Sequence, residues 1–93
     1  MAPLKDLDKK IMVVTSTYVI DDKMPVLNVS NEDDEEGGNL LQFHCGNGDY
    51  DMKKMLLVKL ETILNTDKTL ANLNLSIGQE AYRRNGNDEW III

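Results

Sequence analysis

The segment NLLQFHCGNG, from Asn39 to Gly48, places the tightest limit on how this chain can fold. It alternates in the manner of an extended strand, with Leu41, Phe43 and Cys45 on one side and Leu40, Gln42 and His44 on the other. The first side must be buried, and the second is mixed in character. Gly46-Asn47-Gly48 then ends the strand sharply. The same segment holds the only His, Cys and Phe of the 93 residues.

Around this strand the chain reads as one domain over residues 11–93, preceded by a polar arm at 1–10 that is expected to fray. Ile11–Thr15 (IMVVT) is a β-branched apolar run and predicts a buried strand. Asp21-Asp22-Lys23 predicts a turn. Pro25–Ser30 predicts a second strand with proline at its start, where a missing N–H costs least. Its Leu27 and Val29 are expected toward the core, with Val26, Asn28 and Ser30 on the other face. Residues 31–38 (NEDDEEGG) pack five consecutive acids against two glycines, which predicts a solvated loop.

Residues 52–65 fit two patterns. Leu56, Leu60, Ile63 and Leu64 match a helical stripe, yet Met55–Lys59 also reads as a short strand feeding a helix from Leu60. Thr66 or Asp67 offers an N-cap for a short helix through Leu73. After breaks at Asn74 and Gly78, residues 79–84 and 88–93 form a closing hairpin on an Asn85-Gly86 type I′ turn. The sum is an α+β fold: a mainly antiparallel sheet of about five strands with one or two short helices on one face.

Sixteen acidic residues against ten basic ones give a net charge of −6. That balance opposes nucleic-acid binding, which needs a basic face to displace counterions. It suits a basic protein partner, although net charge bears on association and solubility and not on fold. No apolar run approaches the ~18 residues of a membrane span. The lone cysteine and the charged N-terminus without an apolar centre predict a cytoplasmic protein.

The residues offer little to catalysis. His44 and Cys45 are adjacent on a strand and project to opposite faces, so they cannot pair as base and nucleophile. Cys45 reads as a small core residue and His44 as a partly exposed one. Two Cys/His residues are too few for a structural zinc site. Asn47, Asp49 and Asp51 begin like a calcium loop, but Met52 and Val58 stand where its glycine and glutamate belong. Phosphate-cradle motifs are missing, and nothing singles out one carboxylate pair among the acids. A non-enzyme without cofactor or metal is expected. Its recognition surface would comprise Glu32, Asp33, Asp34, Glu35 and Glu36 at one end of the 39–45 strand, and Asp49, Tyr50 and Asp51 at the other. Tyr82 and Trp90 are interface-type residues with a core reading beside that one, and Trp90 is expected in the core.

Several pieces in order resemble a bacterial family first catalogued as a domain of unknown function and grouped with polymorphic-toxin immunity proteins as immunity family thirty-three. The pieces are VVTSTYVIDDKMPVLNVSNE, NLLQFHCGNGDYD, VKLETILNTDKTLANLNLSIGQEAYRR and DEW, spanning positions 13–90. The shared positions are Phe43 and Gly46, Asp67, then Gly78, Ala81, Tyr82 and Arg84. Leu41 replaces the family's aromatic before Gln42, and Lys68 the proline often found after its aspartate.

The resemblance implies a strand at Met55–Lys59 and a helix from Leu60. It also implies an immunity protein that blocks a cognate toxin's active site or substrate groove; a monomer or weak homodimer is expected. No catalytic residue is carried over. The alternative is a regulatory or accessory domain that binds a small ligand or a larger protein.

Overall fold

The computed structural model describes residues 3–33, 39–48 and 51–93. Strands β1 (Met12–Ser16), β2 (Asn28–Asp33), β3 (Asn39–His44), β4 (Met55–Lys59), β5 (Glu80–Tyr82) and β6 (Ile91–Ile92) alternate with helices α1 (Thr17–Ile20) and α2 (Leu60–Thr66). Short 3-10 turns lie at Leu4–Asp6, Met52–Lys54 and Lys68–Asn72. One six-stranded sheet results, in the order β4-β1-β3-β2-β5-β6. All neighbouring pairs are antiparallel except β1 and β3, which run parallel with Val14 beside Gln42. The α+β class holds, with six strands where about five were expected.

The apolar residues decide which side is covered. Val13, Val29, Leu41, Phe43 and Ala81 share one face and are at most 1% exposed. Leu60 and Ile63 of α2, Leu70, Leu73 and Leu75 beyond it, and Leu4, Val19 and Val26 complete this core. Leu41, Phe43 and Cys45 all point into it, as their alternation predicts. The β4-to-α2 boundary falls between Lys59 and Leu60, the arrangement that the resemblance implies. Asp67 caps the 3-10 turn Lys68–Asn72, its side chain accepting from the Thr69 N–H.

Four expectations are corrected. The second strand starts at Asn28 and runs to Asp33, because Glu32 and Asp33 pair with Leu40 and Asn39. The ladder therefore recruits two residues of the acidic run that were expected in a loop. Ahead of it the chain is not yet strand, so the period of two fails: Val26 is buried and Leu27 half-buried.

The Asn85-Gly86 pair makes no type I′ turn, since neither residue has positive φ. Asn85 instead accepts from the Asn87 N–H through its side chain and from Asp88 through its carbonyl. Arg83 turns inward, on the side of Ala81, as the alternation of β5 continues past Tyr82. The N-terminal segment is anchored as well: Leu4 is 2% exposed, and its N–H donates to the Leu73 carbonyl over 2.9 Å. Residues 17–20 form a helical turn, α1, that seats Val19 in the core.

Arg83 ties the end of β5 to the α2 side of the core. Its Nε donates to the Val26 carbonyl and its Nη1 to Thr69 Oγ1, both over 3.0 Å. Its Nη2 meets Asp67 Oδ2 at 2.5 Å, and the Trp90 ring stacks on the guanidinium at 4.2 Å. Trp90 is half-buried against the core and Tyr82 is 40% exposed.

Candidate functional site

Every strand has a second face, opposite the one on which α2 and the core residues pack. The opposite face shows three rows of side chains fixed by the pairing register. One row runs Leu57, Val14, Gln42, Ser30, Glu80; the second runs Met55, Ser16, His44, Asn28, Tyr82, Ile91; the third runs Lys59, Met12, Leu40, Glu32. At the β4 end it is apolar and open, with Met12 51% and Leu57 65% exposed. The centre is polar and closed, with Ser16, Ser30 and His44 between 2% and 8% exposed. Tyr82 and Ile91 (49% exposed) form a second apolar margin at the other end. None of these apolar residues belongs to the core cluster. An apolar surface rimmed by polar residues is the usual mark of a binding face.

A concavity of about 440 Å³ lies between the apolar end and the centre, lined by Val14, Gln42, His44, Met52, Met55, Leu56 and Leu57. Its size and its lining, apolar with two polar groups, suit a bound side chain or small ligand. Methionine thioethers adapt readily to the shape of such an occupant. Met52 belongs to the 3-10 turn that precedes β4, so this turn forms one wall. Asp51 caps the turn by accepting from the Lys53 N–H.

His44 shares that wall and is 6% exposed, more buried than its strand position predicts. Gln42 Nε2 donates to Glu32 Oε2 over 3.3 Å, which turns Gln42 Oε1 toward His44 Nε2 at 3.0 Å. The Nε2–H tautomer of His44 then completes a chain from His44 through Gln42 to Glu32. Burial lowers the His44 pKa from 6.5, partly opposed by the charge of Glu32, so the ring is neutral at pH 7.

A pH effect follows. Below pH 6.5 the unfolded chain takes up this proton before the folded one does, so stability falls on acidification until pH drops below the folded-state value. Melting temperature is expected to decline between pH 7.5 and 5.5, with a shallower decline in His44→Gln. Parallel curves for the two proteins would rule out His44 as the source.

Of the expected recognition residues, Glu32, Asp33 and Asp51 are exposed. Glu32 and Asp33 sit at one end of β3 and Asp51 beyond the other, as their order predicts. Asp34, Glu35, Glu36, Asp49 and Tyr50 lie outside the described residues. Met12, Val14, Leu57 and Glu80 on the exposed face were missed. An alternation count over Met12–Ser16 and Met55–Lys59 would have shown that both strands are apolar on both faces. Among the described residues no group of His, Cys, Asp and Glu could hold a metal ion, and no helix is long and apolar enough to cross a membrane. No protein-family model, curated protein or solved structure matches this chain.

Proposed function

We propose that the protein is an immunity protein that binds a basic cognate toxin on the exposed face of its sheet and blocks the toxin's active site or substrate groove. The observation that carries this reading is the exposed face itself, an apolar surface containing a concavity and bordered on β2 and β5 by Glu32 and Glu80. Neutralisation requires a rigid scaffold with complementary shape and charge, and no catalytic group. The resemblance to toxin-immunity proteins supplies the partner class, and the −6 charge supplies steering toward a basic one.

Pull-down from the native host at low salt tests this reading directly. The expected result is one stoichiometric basic protein that is toxic when expressed alone and harmless when co-expressed with this chain. Recovery of a housekeeping complex, or of a partner without toxicity, would reject it. Reversing Glu32→Lys together with Glu80→Lys is expected to slow association about tenfold at low salt, with little change in melting temperature. Unchanged association would remove these carboxylates from the interface.

The concavity also favours a second reading, an accessory domain whose ligand is a small apolar molecule. Salt separates the two. Steered protein association slows steeply as ionic strength rises, and apolar ligand binding does not.

A further inference from the structure

Glu32 and Glu80 project from neighbouring strands on the exposed face, one step apart diagonally: Glu80 pairs with Ser30, and Glu32 is two residues further along β2. Among the described residues each carboxylate accepts only a weak amide contact, from Gln42 at 3.3 Å and from Asn28 at 3.4 Å. The one ion pair among the described residues, Arg83 with Asp67, lies on the other side of the sheet. Like charges at diagonal positions repel, and a cation placed between them relieves the repulsion. The strand lysine of this face, Lys59, stands beside Met12 on the far edge strand. The face is therefore polarised: lysine at the β4 edge, an apolar concavity next to it, and carboxylates beyond Gln42.

We propose that this face recognises a two-part element of a basic partner: an apolar side chain seated among Val14, Met55 and Leu57, and an arginine or lysine from the same extended segment held by Glu32 and Glu80. This deepens the toxin-binding reading by specifying what the partner presents, and it rests on that reading for the partner's identity. The dimensions agree. The seat lies between β4 and β1 and the carboxylates between β2 and β5, three strand spacings away, about 14 Å at ~4.8 Å per strand. Alternate residues of an extended segment lie about 7 Å apart, and an arginine side chain covers the remainder. Charge fixes the orientation, because the cation must lie on the β2 side, away from Lys59. Ser16 lies beneath the site: it is 2% exposed, stands in the row between Met55 and His44, and its Oγ has no hydrogen-bond partner among the described residues.

Two capped tripeptides, phenylalanine–serine–arginine and phenylalanine–serine–glutamate, serve as probes of the full chain. Each is titrated into nitrogen-15-labelled protein while amide shifts are followed by NMR. The arginine peptide is expected to shift Val14, Gln42, Leu57 and Glu32 saturably and to bind at least tenfold more tightly than the glutamate peptide. Glu32→Gln with Glu80→Gln should abolish that preference while leaving the phenylalanine-dependent shifts. Equal binding of both peptides, shifts confined to another surface, or no shift at millimolar peptide would overturn the proposal. No toxin enters this experiment, so arginine-selective binding followed by a pull-down without a toxin would sink the immunity reading and leave the recognition site standing.

Discussion

Asp67→Ala is expected to lower stability by about 3–4 kcal/mol, a fall in melting temperature on the order of 15–25 °C for a domain of this size. The Arg83 side chain is 1% exposed, so loss of its carboxylate leaves a guanidinium charge in the interior with, among the described residues, the Val26 carbonyl, Thr69 Oγ1 and the Trp90 face as its remaining partners. The cap on the following 3-10 turn goes with it, since Asp67 also accepts from the Thr69 N–H. Arg83→Met is expected to cost less, about 1–2 kcal/mol, because a side chain of similar length still packs on Trp90 and Asp67, 17% exposed, can take up water. The double substitution Asp67→Ala with Arg83→Met should cost less than the sum of the two, about 1 kcal/mol beyond Arg83→Met for the lost cap, which urea denaturation of the four proteins would show. Should Arg83→Met prove the costlier of the two single changes, a stranded charge would not be what makes Asp67 matter.

The same cluster shows where sequence stops being informative. Asp67 was legible as a cap because capping is local: an acceptor two residues ahead of a free N–H. Arg83 was not, since arginine beside a second arginine on a strand reads as surface, and only the folded chain brings Asp67, Thr69 and Trp90 around it. β3 and its glycine turn were readable for the same local reason. Gly46 and Gly48 adopt positive φ, 73° and 82°, where a strand signal ends in glycine.

Long-range pairing accounts for the misses. β2 begins three residues later than its composition suggests, because its register is set by Leu40 to His44 across the hairpin and not by its own apolar residues. The parallel contact of β1 with β3 has no counterpart in either segment. The exposed face is the extreme case. It is assembled from side chains of all six strands, and its members become a surface only once the strand order is known.

Because each strand contributes to both faces, stability and recognition can be separated on one sheet. Phe43→Ala removes a side chain with no exposure from the central strand and is expected to cost about 3–5 kcal/mol through lost burial and the cavity left behind. Leu57→Glu alters a residue that is 65% exposed on an edge strand, flanked by Lys59, so its effect on stability should stay within about 1 kcal/mol. For partner binding the order reverses. Leu57 forms the apolar wall of the concavity, and a carboxylate there must be desolvated beneath any seated side chain. A loss of about 2 kcal/mol or more, at least thirtyfold in affinity, is the expected size for an anchor position. Phe43→Ala, assayed at a temperature where it remains folded, should bind the partner nearly as well as the parent, because the face that Phe43 serves is the one turned to the helices. Calorimetry for stability and surface-immobilised binding for affinity would place the two variants in opposite corners. If Leu57→Glu bound normally, the partner would have to dock elsewhere, and the exposed sheet face would lose its role in recognition.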